Sequence, residues 1–203
     1  MARPRTRPTR EETGERLLDG AMEAFAERGF HGASLDAICE RAGLTRGAFH
    51  NRFASKDQLF LALYDRMADR LTGFVDGIVD AVPPDAPDPL QYLLDAYAAA
   101  SPLGRSWYLL NAEVTLYAIR QPAIAGEFAM HRRRLRDQIS ASVSRLLADA
   151  GWSLCVDADL FARTLIALAD GGLSQSLIEP DSVDPGALLR VLGRRISRRD
   201  QTA

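Results

Sequence analysis

The segment spanning residues 35 to 56 constrains the fold of this 203-residue chain more than any other stretch. Apolar residues recur at helical spacing up to Cys39, and Gly43 then interrupts the pattern. Gly43 can adopt the left-handed conformation that ends a helix and redirects the chain. Thr45 can cap a second helix, whose buried side would carry Phe49. The segment therefore predicts two short helices joined by a tight turn, followed by the start of a further helix.

The second of these helices would present a polar outer face that suits a DNA major groove. Arginine can bond guanine through two hydrogen bonds, asparagine can do the same with adenine, and hydroxyl groups or histidine can reach phosphates and base edges. A polar outer face that only meets solvent is the alternative interpretation. The groove-facing candidates are Thr45, Arg46, Gly47, His50, Asn51 and Arg52.

Positive charge is concentrated at the same end of the chain. Through residue 56 there are ten Lys and Arg against eight Asp and Glu, whereas residues 57 to 203 hold fifteen against nineteen. The net charge is therefore +2 for the first part and −4 for the second, by subtraction of these counts. This asymmetry favours a nucleic-acid-binding N-terminal part, even though the pI of the whole chain is near 5.9.

Residues 10 to 65 resemble the DNA-binding domain of the TetR family of bacterial transcriptional regulators. The agreement includes a first amphipathic helix, its exit at Arg28-Gly29-Phe30, and the sequence Phe53-Ala54-Ser55-Lys56 that opens helix 4. Two positions depart from the family pattern, because His50 stands where tyrosine is usual and Arg52 where His or Tyr is usual. The resemblance implies DNA contacts at seven positions, namely Ser34, Thr45, Arg46, Gly47, His50, Asn51 and Lys56.

Helix start and stop signals predict about nine helices and no strand, which is an all-α fold with an N-terminal three-helix helix-turn-helix domain. Helix 1 is expected from about Arg10 to Arg28, with Gly29 as its stop. Ser34 and Ser55 are expected to cap helices 2 and 4. The later helices are expected over about 56–81, 88–100, 101–121, 122–150, 157–178 and 184–197, with Asp88, Asp157 and Asp184 as caps and Gly151 as a stop.

The same signals divide the chain into three parts. Residues 1–9 have little apolar content and are predicted to form a disordered basic arm, with a place in a DNA minor groove as the alternative. Residues 10–55 form the predicted DNA-binding domain. Residues 56–203 form the predicted helical domain for effector binding and dimerisation, and the 47% hydrophobic content of the chain allows a sizeable core.

Composition also limits the function classes. No apolar run approaches the roughly 20 residues of a membrane span, and no signal peptide is evident, so a cytoplasmic location is expected. Cys39 and Cys155 do not form a disulfide framework, and Cys39 is interpreted as a small buried hydrophobe. The three histidines have no metal-ligand spacing, so neither a metal nor a cofactor is expected.

The middle helices carry many aromatic and polar side chains. Plain packing is the alternative for each of them, but together they suit a mostly apolar pocket with a few orienting polar groups. The family resemblance implies that this part of the chain binds a small molecule. The candidate ligand-binding residues are Phe74, Tyr92, Tyr97, Trp107, Tyr108, Asn111, Glu113 and Tyr117.

Two further patterns occur near the end of the chain. The run from His131 to Arg136 is interpreted as a solvated helix face, in which Asp137 can pair with Arg133 at helical spacing, with a site for an acidic effector or a second DNA surface as the alternative. Stripes of apolar and small residues predict that the last two helices pair with a second copy in a four-helix bundle, unless they seal the core of one protomer. The stripe residues are Phe161, Leu165, Leu168, Gly172 and Ser176, followed by Leu188, Leu192 and Ile196.

The sequence therefore predicts a homodimeric transcription factor that binds operator DNA and responds to a small molecule. A repressor that the small molecule releases is the favoured form. The alternative is a helical small-molecule-binding protein or enzyme with a relic DNA-binding head. No nucleophile or metal constellation supports catalysis, so the chain is not expected to be an enzyme.

Overall fold

The computed structural model describes residues 9–199, and within that range the chain forms nine helices and one short two-stranded ribbon. The predicted all-α class is thus confirmed. The predicted basic arm lies outside the described residues except for Thr9, which caps the first helix. The elements are α1 (Arg10–Gly32), α2 (Leu35–Ala42), α3 (Arg46–His50), α4 (Lys56–Ala81), α5 (Pro89–Ala100), α6 (Arg105–Arg120), α7 (Pro122–Asp149), β1 (Trp152–Leu154), α8 (Ala158–Ile178), α9 (Ala187–Ile196) and β2 (Ser197–Arg199).

Most helix boundaries follow local capping chemistry. The side chains of Asp88 and Asp157 accept hydrogen bonds from the backbone three residues further on, as predicted. Two predicted starts were wrong. The helix expected at residue 101 begins at Arg105, and the last helix begins at Ala187 because Asp184 bonds the N–H of Gly186, at 2.7 Å, instead of a helical amide.

The ribbon was not predicted. Gly151 has a φ of 70°, which lets the chain turn away after α7, as its role as a stop requires. Trp152 then pairs with Arg199 and Leu154 with Ser197 in an antiparallel register. Strands of three residues are too short to show an alternating pattern, so the prediction of no strand was wrong here.

The chain divides into two compact units. Among the described residues, the first holds 9–66 together with Leu109–Phe128, and the second holds Met67–Tyr108 and 129–199. Within the first unit, Phe30 lies at the centre of an aromatic core. Its ring centroid lies 5.4 Å from that of Phe25 and 5.7 Å from that of Phe60.

The second unit buries much of α8 within the protomer. Phe161, Leu165 and Gly172 are buried, and a Cβ on Gly172 would collide with the carbonyl oxygen of Pro185. These three residues of the predicted dimer stripe therefore seal the core of the single chain. On α9 the fully buried leucine is Leu189, which sequence analysis did not place in the stripe. No helix among residues 9–199 is long and apolar enough to cross a membrane.

Candidate nucleic-acid interface and effector cavity

The turn between α2 and α3 has the geometry that the sequence predicts. Ser34 accepts a hydrogen bond from the N–H of Ala37 and so caps α2. Gly43 adopts a left-handed conformation, with a φ of 61° and a ψ of 39°. The N–H of Leu44 donates to Cys39 O at 2.8 Å, which closes the end of α2.

A residue of α1 also holds this turn. Arg16 donates from Nε and Nη2 to Ala42 O, at 3.0 and 2.7 Å, and from Nη2 to Gly43 O at 3.1 Å. A positive side chain at carbonyl groups is favourable at the end of a helix. Sequence analysis missed Arg16, because nothing in local spacing links it to a turn 26 residues later.

Helix α3 is a five-residue helix with one buried and one exposed face. Thr45 accepts a hydrogen bond from Ala48 N–H at 3.2 Å, and Phe49 is fully buried. The cap and the core position are therefore as predicted. The predicted DNA-contacting residues on and around this helix are all solvent-exposed, namely Ser34, Thr45, Arg46, Gly47, His50, Asn51 and Arg52. We name them the exposed row.

The two arginines of the exposed row have partners within the protein. Arg46 forms an ion pair with Asp36, including an Nη2–Oδ2 contact of 2.6 Å. This hydrogen bond lowers the pKa of Asp36 below its ordinary value. The guanidinium of Arg52 lies 5.0 Å from the ring centroid of Phe53. Both side chains reach solvent, so they can exchange these partners for DNA.

Lys56 is half-buried and differs from the exposed row. Its Nζ donates to Phe30 O at 2.7 Å and to Ala33 O at 3.2 Å, and it lies 4.7 Å from the Phe30 ring centroid. Burial lowers the pKa of Lys56 below its ordinary value. Two of the three ammonium hydrogens are thus committed to the end of α1, a structural role that the prediction of a phosphate contact did not include.

Glu113 accepts a hydrogen bond from the other backbone group of Phe30. Its carboxylate accepts a hydrogen bond from the N–H of Phe30, next to Gly29, whose φ is 71°. A Cβ on Gly29 would lie 2.5 Å from Glu113 Oε1, so any other residue there would displace the carboxylate as well as strain the backbone. We name the arrangement of Phe30 between Lys56 and Glu113 the Phe30 clamp. No sequence pattern pointed to it.

The candidate ligand-binding residues are divided between the two units. Glu113 and Tyr117 lie at the end of α1, where the Tyr117 ring centroid is 5.4 Å from that of Phe30 and 5.1 Å from that of His31. Asn111 is half-buried in the same unit. Phe74, Tyr92, Tyr97, Trp107 and Tyr108 belong to the second unit.

Within the second unit, the five residues have different surroundings. Trp107 is buried, and Tyr92 is exposed. The Tyr108 hydroxyl donates to Ser174 Oγ at 2.8 Å. Tyr97 contacts Phe74, with ring centroids 6.1 Å apart, and burial raises the pKa of Tyr97.

A cavity of about 170 Å³ lies between α5, α8 and the segment that precedes α9. Tyr97, Ser101 and Asp170 supply its polar groups, and Leu173 and Leu189 supply apolar walls. Of the eight candidate ligand-binding residues, Tyr97 alone lines this cavity. Among residues 9–199 no group of three or more His, Cys, Asp or Glu side chains is placed to hold a metal ion.

The capped turn, the buried face of α3 and the exposed row define a helix-turn-helix DNA-binding protein. The model for "Bacterial regulatory proteins, tetR family" matches residues 17–63, and the model for "BetI-type transcriptional repressor, C-terminal" matches residues 86–200. The chain belongs to the TetR family and is a ligand-responsive DNA-binding transcriptional regulator.

Individual relatives agree with this assignment over most of their length. The chain is 24% identical to the HTH-type transcriptional repressor AcnR of Corynebacterium glutamicum, with 92% of this chain and 93% of the relative covered. It is 27% identical to the HTH-type transcriptional regulator UidR of Escherichia coli, with 81% and 94% covered. The solved structure of Salmonella enterica GusR aligns with a TM-score of 0.67 at 26% identity, with 89% and 92% covered. These matches do not support the alternative of an enzyme with a relic head.

Proposed function

We propose that this regulator is a repressor that binds operator DNA as a homodimer and leaves it when a small molecule binds to its helical body. The observation that carries the proposal is the exposed row, in which seven residues suited to contact with bases and phosphates lie on and around a helix whose other face buries Phe49. The repressor AcnR, which is similar over most of both chains, supports repression as the direction of regulation.

Exposed apolar residues near the end of the chain support the homodimer. Leu160, Leu177 and Ile178 on α8 and Val191 on α9 are solvent-exposed in the single chain, and Ile178 retains 77% of its accessible surface. A two-fold pairing of α8 and α9 would cover them. Dimerisation also meets a functional need, because one short recognition helix reads too few base pairs for useful specificity.

The cavity beside Tyr97 is the proposed effector site. It combines an aromatic ring, a hydroxyl group and the Asp170 carboxylate with apolar walls, which is the composition of small-molecule sites. We keep Phe74 in the proposed site, because its ring contacts that of Tyr97. The cavity volume of about 170 Å³ favours a small effector or one that enlarges the cavity on binding.

The Phe30 clamp is the proposed route from effector to DNA. Helix α6 supplies Tyr108, which bonds Ser174, and five residues later Glu113, which bonds the exit of α1. A displacement of α6 along its axis would pull on Phe30 and hence on α1, whose Arg16 holds the turn before α3. The effector would then change the position of the exposed row through contacts at both ends of α1.

Selection of genomic fragments on the immobilised protein, followed by fluorescence anisotropy with a selected 30-base-pair duplex, tests the proposal. We expect binding at least about a thousandfold tighter to the selected duplex than to a shuffled duplex of the same composition. A mass near twice 22.3 kDa by light scattering is expected for the protein alone. Equal affinity for both duplexes would contradict the proposed operator recognition, and a monomeric mass would contradict the dimer.

A further inference from the structure

A cleft of about 530 Å³ lies between α7 and α8 in the second unit. Four arginines line it, Arg132, Arg133 and Arg136 from α7 and Arg163 from α8. We name it the arginine cleft. It is distinct from the cavity beside Tyr97, although Asp170 contributes to the lining of both.

Guanidinium groups outnumber carboxylates in and around this cleft. Asp159 accepts hydrogen bonds from Arg163 Nε at 2.6 Å and from Arg136 Nε at 2.9 Å, so one carboxylate serves two arginines. These bonds, that from Arg163 first, lower the pKa of Asp159. Asp170 is the second carboxylate. The cleft is thus lined by four arginines and one carboxylate, Asp170, while Asp159 beside it is shared by two of the arginines.

The two arginines of α7 outside the cleft are both paired with carboxylates. Arg145 is paired with both Asp76 and Asp80, and Arg134 is paired with Asp69. These surface arginines thus have at least one carboxylate each. The arginine cleft is a concave site where the guanidinium groups exceed their carboxylate partners, which raises the local positive potential.

Arg133 shows the excess most clearly. It lines the cleft, it is solvent-exposed, and it makes no hydrogen bond or ion pair with any residue in the described range 9–199. The helical pair with Asp137 that the sequence suggested does not form. The interpretation of the whole run as a solvated face was therefore incomplete, because part of it lines a cleft with arginine from a second helix.

One member of the cleft is held firmly. The Arg136 side chain is only 12% exposed, and its position is fixed by Asp159. Ile166 adds an apolar wall on the α8 side. A preordered guanidinium loses little freedom when it binds an anion, and an apolar wall accepts the carbon skeleton of an organic ligand.

We propose that the arginine cleft binds a small organic anion that carries at least two carboxylate or phosphate groups. Planar guanidinium groups bind both kinds of oxyanion through paired hydrogen bonds, and two anionic groups would suit a cleft in which arginines outnumber carboxylates. A volume of about 530 Å³ accommodates such a molecule. The proposal concerns a second site and does not depend on operator binding or on the cavity beside Tyr97.

Isothermal titration calorimetry of the full-length protein in low-salt buffer tests the proposal without DNA. The probes are tricarballylate for carboxylates, pyrophosphate for phosphates, and glutaramide as an uncharged control. We expect at least one anion to bind with a dissociation constant below about 1 mM and to weaken as salt is raised, whereas glutaramide gives no heat. The anion that binds more tightly shows whether the cleft prefers carboxylate or phosphate groups. No binding of either anion at 10 mM, or equal binding of glutaramide, would overturn the proposal.

Two variants and one matched control assign the binding to the cleft. We expect Arg133→Gln and Arg163→Gln each to raise the dissociation constant of the anion about tenfold, since each removes a charged hydrogen-bond donor. Arg145→Gln removes the same charge from α7 outside the cleft and should stay within twofold of the wild type. Thermal melting confirms that each variant is folded. If all three variants weaken the anion equally, general surface charge is responsible and the cleft assignment is wrong.

Discussion

The two compact units use their charged side chains in different ways. In the first unit, Arg16, Lys56 and Glu113 bond backbone groups at helix ends and turns. These backbone groups lie 26 to 83 residues away in the sequence. In the second unit, Asp88 and Asp157 bond backbone groups only three residues away, and other charged side chains pair with one another on the surface, as Arg134 does with Asp69. The difference indicates that charged side chains join distant parts of the backbone in the DNA-binding unit, whereas in the body they form local caps and surface pairs, and an exposed pair adds little stability.

A substitution at Gly29 should show most strongly whether the contact between Glu113 and the backbone of Phe30 matters in the first unit. Gly29→Ala would force an L residue into a φ of 71° and a ψ of 170° and place its Cβ against the Glu113 carboxylate. We expect a loss of about 1–3 kcal/mol of unfolding free energy from backbone strain alone, with weaker DNA binding. Thermal denaturation and anisotropy measure the two effects.

Gly32→Ala is the matched control on the same helix. The nearest atom to a Cβ there is Arg28 Cβ at 3.5 Å, an ordinary contact, and its φ is not positive. This variant should be as stable as the wild type within about 0.5 kcal/mol. Equal stability of both variants would mean that the Phe30 clamp does not constrain the exit of α1.

Lys56→Met tests the clamp from its other side. Methionine keeps much of the stem but leaves Phe30 O and Ala33 O without their donor. We expect a loss of about 1–2 kcal/mol of unfolding free energy, measured by urea denaturation. Lys56→Arg, which keeps a cation, should recover part of the loss.

The same lysine was also predicted to contact a phosphate. We therefore expect Lys56→Met to weaken binding to operator and random duplexes alike, because a phosphate contact carries no base information. The slope of log affinity against log salt concentration should become shallower by about one. Anisotropy titrations at several salt concentrations measure both. An unchanged salt slope would leave Lys56 with the clamp as its only role.

Asp36→Asn should change DNA affinity less than Lys56→Met does, and it should strengthen binding instead of weakening it. The substitution releases Arg46 and removes an acid near the DNA surface, so we expect about two- to fivefold tighter binding. Glu40→Gln on the same helix removes equal charge without releasing Arg46, and an equal gain there would exclude a specific role for the pair. The lowered pKa of Asp36 means that the ion pair contributes above pH 3.8 and is lost as pH falls through the lowered value.

Arg145→Gln is the smallest expected change and tests the second half of the comparison. Its partners Asp76 and Asp80 are both about half-exposed or more. We expect the melting temperature to stay within about one degree of the wild type, because exposed ion pairs add little stability. A loss of several degrees would show that the surface ion pairs of the second unit contribute substantially to its stability, contrary to our expectation.

The range of each contact explains what could be predicted from the sequence. The caps Ser34 and Thr45 and the turn at Gly43 act within a few residues, so local spacing was sufficient to predict them. The hydrogen bond that the N–H of Phe30 donates to Glu113 joins residues 83 positions apart. Glu113 was therefore interpreted as a ligand-orienting residue, since the sequence could not reveal its nearest partner.

The body was harder to predict for the same reason. The arginine run in α7 was visible, but Arg163, which completes the cleft, lies on the next helix. The small residue Gly172 was a correct sign of close packing, yet its partner is the loop at Pro185 of the same chain. Periodicity predicts that a helix face is buried but does not identify what covers it.

The central claim is that the exposed row reads DNA sequence, and Asn51 tests it most directly. Anisotropy should compare the affinities of Asn51→Ala and of the control Arg28→Gln for the selected duplex and for its shuffled counterpart. If Asn51 contacts a base, its loss should reduce the ratio of the two affinities by about 5- to 100-fold and leave shuffled-duplex binding nearly unchanged, while the control keeps the wild-type ratio. An unchanged ratio for Asn51→Ala would contradict the claim.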